Sequence, residues 1–111
     1  MSNATKTSRQ PAPGEILSGL ASVGAIALEV HRLALDHKRA TQALTDSYVA
    51  WKRENGHDRV QRDSEAWEDM MDATADAYKA SKEAKRVLFN AQRRLQTACR
   101  RMATGQEGGA A

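Results

Sequence analysis

Both prolines of this chain, Pro11 and Pro13, lie at its start, and from Gly14 onward no residue forbids a helix. Inside that long permissive stretch there is one clear punctuation mark, Glu54-Asn55-Gly56-His57-Asp58. Asn55-Gly56 is a helix-ending pair, because glycine accepts the left-handed conformation that closes a helix. Lys52 and Arg53 stand just ahead of it, where the helix dipole favours cations. Asp58 followed by Gln61 fits a capping box that starts the next helix. The expectation is two long helices joined by a tight turn.

Periodicity agrees with the punctuation. In the first block Ile16, Leu20, Val23, Ala27, Val30, Ala34, His37, Thr41, Leu44, Tyr48 and Trp51 recur at spacings of three and four. In the second, Val60, Trp67, Met70, Thr74, Ala77, Ser81, Ala84, Leu88, Ala91, Leu95, Ala98 and Met102 recur at spacings of three, four or seven, opposite a charged stripe from Arg62 to Arg100. Ala77, Ala84, Ala91 and Ala98 fall every seventh residue, which lets two helix axes approach closely. The fold expected is all-α: a long antiparallel helical hairpin over residues 14–104, helix 1 at about 15–55 and helix 2 at about 59–103. A disordered basic arm (1–13) and a disordered tail (105–111) flank it. With 111 residues the chain holds at most one small domain.

The stretch GEILSGLASVGAIALEVHRLAL, Gly14 to Leu35, carries no charge between Glu15 and Glu29. As a secretory signal it has a basic start (Lys6, Arg9) and an Ala25-Ile26-Ala27 cleavage pattern, which would leave a mature protein beginning at Leu28. Glu15, the diluting glycines and serines, and a seam that passes the cleavage point in register argue against export. Its 13 uncharged residues fall short of the ~20 a spanning helix needs, so no membrane partner is expected. Gly19 to Gly24 has the outline of a phosphate loop but lacks the following Lys-Ser/Thr and a preceding strand. What remains is an interface. Leu17, Ala21, Gly24, Leu28, His31 and Leu35 form a second stripe beside the seam, and Gly19, Ile26, Leu33 and Ala40 a third. One partner helix covers one seam, not three. Leu17, Ile26, Leu28, Leu33 and Leu35 are therefore the candidate partner-binding residues, and homodimerisation into a four-helix bundle is the simplest way to bury the surplus.

The chain points away from chemistry. No Ser, His and acid grouping is suggested, Glu-x-x-His is absent, and His31 and His37 are six residues apart, so no catalytic residue, metal or cofactor is expected. The single Cys99 excludes an internal disulfide and a cysteine zinc cage, which fits a reducing cytoplasm. A net charge of +3 permits an acidic partner without requiring one. Bases gather in the C-terminal half of helix 2, where Arg86, Arg93, Arg94, Arg100 and Arg101 form a candidate nucleic-acid-binding patch, the alternative function. Acids at that helix's start and bases at its end also suit the helix dipole. Lys38 and Arg39 fall opposite Asp72 and Asp76 in an antiparallel hairpin, and Trp51 opposite Trp67 near its tip.

In format, from Gly14 to Met102, the chain resembles a small quorum-sensing anti-activator, the kind that binds a LuxR-type transcription factor: a basic chain of this length, two long helices, and surplus apolar surface on helix 1. The resemblance implies a stoichiometric protein antagonist that covers its target's dimerisation surface. The functional expectation is a homodimeric, non-enzymatic protein-binding module whose partners are its own copy and a second protein such as a transcription factor.

Overall fold

The computed structural model describes residues 12–105, and among them there is helix and turn but no strand. Three helices follow in order: α1 (Pro13–Glu54), α2 (Glu65–Ala73) and α3 (Ala75–Thr104). The expected arm up to residue 11 and the tail beyond Gly105 lie outside the described residues.

The start of α1 is set by Pro13, whose fixed φ suits the first helical position. Glu15 reaches back to accept a hydrogen bond from the Ala12 backbone N–H at 3.1 Å, half of a capping box. Its end is the expected one. Gly56 takes φ 68°, its N–H donates to the Arg53 carbonyl (3.4 Å), and the His57 N–H donates to that of Lys52 (2.8 Å). That crossed pair satisfies carbonyls the helix itself leaves open. The His57 ring then stacks on Trp51, centroids 5.5 Å apart and planes within 5°. So Trp51 locks the helix end through His57, a neighbour that periodicity does not point to.

The second helical block differs from expectation twice. It starts at Ser64, not near Asp58: the Ser64 hydroxyl accepts from the Trp67 N–H at 3.1 Å and donates to the Gln61 carbonyl at 2.6 Å. Asp63 just before it holds φ 64°, a left-handed kink that Asp tolerates better than most residues and that ends the turn. Glu65 and Glu68 then fall in the first turn, where the dipole favours them. The block is also broken at Thr74. This residue is buried, and its hydroxyl needs an acceptor, which it finds in the Met70 carbonyl at 2.7 Å. Competition of that kind within the helix ladder bends helices, and Thr74 leaves helical geometry at φ −108°, ψ 16°.

The chain falls into two compact units, one holding residues 12–30 and 90–105 and the other residues 31–89. In the first, α1 runs antiparallel to α3. Met102 lies across Gly19, where a built Cβ would sit 2.5 Å from its sulfur, and Glu29 pairs with Arg94 at 3.2 Å. Ala91 is fully buried here, and Gly19, Val23, Ile26 and Val30 are the half-buried apolar positions of α1. In the second unit Met70, Thr74 and Leu88 are buried. Leu33, His37, Ala40 and Leu44 turn inward, and the Thr41 and Ser81 hydroxyls lie 3.4 Å apart. Arg39 pairs at 4.0 Å with Asp36 of its own helix.

The inward face of α1 is thus rotated from the expected seam by about 50°. Val23, Val30, His37 and Leu44 keep their places. Their companions are Gly19, Ile26, Leu33 and Ala40, not Leu20, Ala27, Ala34 and Thr41, which are exposed. Burying Ile26 and Leu33 removes more apolar area than burying two alanines. On α3 and α2 every expected seam position from Trp67 to Met102 is buried or half-buried, whereas Val60, expected to open the seam, lies half-buried ahead of α2 and outside any helix.

The cap position is testable by denaturation. Ser64→Ala is expected to lose about 1 kcal/mol of unfolding free energy. Asp58→Ala should change it by no more than about 0.5 kcal/mol, as an exposed surface residue does. Urea titrations followed by helical circular dichroism measure both.

Candidate functional site

α1 is apolar on two opposite sides through its first half. One side carries Gly19, Val23, Ile26 and Val30 toward α3. The other, close to 180° around the helix, carries Leu17, Ala21, Gly24 and Leu28, all exposed. Leu28 is 72% exposed, Leu17 68%, Leu20 53% and Ile16 41%. Isolated exposed leucines are ordinary on a soluble protein; four large aliphatics within four turns of one helix are not. By length and composition α1 contains an 18-residue window apolar enough to cross a membrane, and none of that window is buried.

The two interior glycines of this segment separate cleanly. Each costs roughly 1 kcal/mol of helix propensity relative to alanine. Gly19 is accounted for by Met102, which occupies the space a side chain would need. Gly24 meets nothing within 4 Å, so the fold of this chain leaves room there for any side chain. The weakening of α1 at Gly24 has no return inside the molecule.

The five candidate partner-binding residues therefore divide. Leu17 and Leu28 lie on the outer face in the first unit, and Leu35, 40% exposed, is on α1 in the second. Ile26 and Leu33 are half-buried on the inward side. Ile16 and Leu20, assigned by periodicity to the intramolecular seam, join the exposed set instead. Their signal was present in the three apolar stripes; what was hidden was which stripe α3 would choose.

The candidate nucleic-acid residues are divided too. Arg93, Arg94, Arg100 and Arg101 belong to the first unit and Arg86 to the second. Arg93, Arg94 and Arg101 edge a shallow groove of about 470 Å³ with Ile26 and Ala98 in its lining. Arg94 is engaged by Glu29, and Arg93 donates to the Asn90 side-chain oxygen. Arg86 grips Glu83 through two hydrogen bonds, at 3.0 and 2.5 Å. Those bonds hold the Glu83 carboxyl below its ordinary range and raise the Arg86 guanidinium above its own. Much of the cationic character of this patch is spent locally.

A different cationic stripe appears in the second unit. Tyr78, Lys82, Lys85 and Phe89 follow one another at spacings of four, three and four along α3, all exposed. The Lys82 ammonium lies 5.5 Å from the Tyr78 ring centre, and that of Lys85 lies 5.5 Å from the Phe89 ring centre. The spacing is readable in the sequence. Among the described residues no three His, Cys, Asp or Glu side chains cluster as a metal site would require.

The outer and inner faces of α1 are expected to answer mutation differently. At sub-micromolar chain concentration Leu28→Ser should change unfolding free energy by no more than about 0.5 kcal/mol. Leu33→Ala should lower it by about 1–2 kcal/mol, less than a fully buried leucine would. Equal losses at both positions would contradict the assignment of faces.

No protein-family profile, characterised protein or solved structure matches the chain.

Proposed function

We propose that this chain is a non-enzymatic, stoichiometric antagonist. It sequesters a regulatory protein, such as a LuxR-type transcriptional activator, by laying the outer face of α1 over that protein's dimerisation surface. The observation that carries the reading is the exposed aliphatic face around Leu17 and Leu28, set on the side of α1 away from α3. A helix with an apolar stripe on its free side is the form in which one protein fills an apolar groove of another. Such contacts take their energy from a few deeply seated side chains, and Leu17 and Leu28 are the largest exposed ones on the face. Inhibition of this kind needs no reaction; one copy of the chain occupies one copy of the target.

A lipid surface is a poorer fit to the same face. Membrane-surface helices carry bulk, with Trp, Phe and Leu facing the lipid. Here Ala21, Gly24, Ala25 and Ala27 stand between the leucines, and small residues favour close approach of another helix.

Titration calorimetry of this chain against the ligand-binding domain of a LuxR-type activator tests the reading. The expected result is a one-to-one complex that Leu28→Glu weakens at least about tenfold, in line with loss of a central interface residue. The double variant Arg93→Glu with Arg94→Glu should bind as the parent does. Absence of a complex, or equal binding by Leu28→Glu, would refute the proposal.

A second reading draws on the Tyr78–Phe89 stripe, whose two rings and two ammonium groups suit the bases and phosphates of a single strand. It predicts that fluorescence anisotropy with a labelled oligothymidylate shows binding that falls steeply with salt. Tyr78→Ala with Phe89→Ala should remove that binding while leaving Leu28-dependent capture untouched.

A further inference from the structure

We infer that the outer face of α1 in the first unit pairs with a second copy of this chain, antiparallel, about a two-fold axis passing between Ser22 and Val23. The inference rests on the reading of that face as an interface and names the occupant it has when no target is present.

Leu17, Ala21, Gly24 and Leu28 follow one another at spacings of four, three and four, the spacing of a coiled-coil seam. Turned antiparallel about the stated axis, Leu17 meets Leu28 of the second copy and Ala21 meets its Gly24. One leucine layer then closes each end of a centre made of small residues. On one flank Leu20 falls against Ala27 of the second copy, and on the other Ser18 falls against its Ala25. In the centre small residues meet small ones, and Leu20 faces an alanine, so the two large pairs, Leu17 with Leu28 at each end, are kept apart from one another. Gly24, idle within its own chain, becomes the point where the two backbones approach most closely.

Charge supports the same register. The uncharged span Ile16–Leu28 is itself centred on Ser22, so the pairing lays uncharged residues on uncharged residues. Glu29, at the edge of the span, is already held by Arg94. An antiparallel pair also opposes the two helix dipoles, whereas a parallel pair would set two positive helix starts side by side.

The area decides how strong the pairing is. Leu17, Leu20 and Leu28 together offer on the order of 350 Å² per copy, the size at which an apolar patch marks an interaction site. That is roughly half of what a standard interface takes from each partner. The dimer is accordingly weak, dissociating in the micromolar range. A target protein that covers the same face displaces one copy, so self-pairing and capture exclude each other.

Sedimentation equilibrium of the full chain, over on the order of 1–500 µM, reads the association directly. Monomer at the low end and dimer at the high end is the expected result. Gly24→Leu, whose new side chain meets no atom of its own chain, is expected to weaken the dimer at least about tenfold. It should leave the unfolding transition unchanged or higher, because leucine is the better helix former. Direction is read by pulsed electron paramagnetic resonance with a label on Gly14→Cys in a Cys99→Ser background. Antiparallel pairing separates the two labels by about 26 Å along the axis, and parallel pairing leaves them within about 15 Å. A monomer at every concentration, a dimer indifferent to Gly24→Leu, or the short distance overturns the inference. So does a monomer that sediments with phosphatidylglycerol vesicles, which would assign the face to lipid. A chain that stays monomeric yet loses its target in Leu28→Glu overturns the self-pairing alone. A dimer that meets all three criteria while Leu28→Glu still captures the target supports the self-pairing and fails the antagonist reading.

Discussion

One helix can cover one side of another. The first half of α1 is apolar on two opposite sides, and every further feature of its surface follows from that mismatch. α3 takes the side with Ile26, where Gly19 lets Met102 lie close against the backbone. Leu17, Leu20 and Leu28 are left facing solvent. Each retains unfavourable hydration worth on the order of 1–2 kcal/mol relative to full burial. For a chain whose buried residues among those described are Met70, Thr74, Leu88 and Ala91, that is a large reserve of unrealised stabilisation. It is the reserve on which the proposed association with another chain would draw.

The helices are held by local chemistry and little core. Pro13 and Glu15 start α1 within a turn of Leu17, so the exposed leucines sit on formed helix. At the far end Gly56 and the Trp51–His57 stack terminate α1 sharply. Ser64 restarts the helix in a register that puts Met70 and Thr74 inside. The break at Thr74 follows from burying a hydroxyl, which takes the nearest carbonyl in its own helix as acceptor. Caps and turns of this kind each contribute about 1 kcal/mol, comparable with what any one of the half-buried seam residues supplies.

How much of this was legible depended on contrast between faces. On α3 the outward face is charged from Asp76 to Arg100, so spacing alone identified the inward one. On the first half of α1 there is no charged face to set against the seam, and two stripes competed on side-chain size. The stripe with Ile26 and Leu33 prevailed over the one with Ala27 and Ala34 because it buries more carbon. Asn55-Gly56 was readable because a positive φ selects glycine. The helix start was not, because both Asp58 and Ser64 are good caps, and the burial of Met70 and Thr74, a tertiary matter, favours the later one. The excess apolar area of α1 was visible, yet Ile16 and Leu20 were assigned to the seam and are exposed. The Tyr78–Phe89 stripe was missed because aromatic residues at helical spacing ordinarily belong to a core.

The central claim is that the side of α1 carrying Leu17, Leu20 and Leu28 meets another protein chain. Hydroxyl-radical footprinting of the chain at rising concentration tests it residue by residue. The account predicts oxidation of Leu17, Leu20 and Leu28 falling together as concentration rises, while Val49 and Phe89, exposed elsewhere, keep their rates. Unchanged oxidation of the three leucines, at every concentration and with a target protein added, would contradict it.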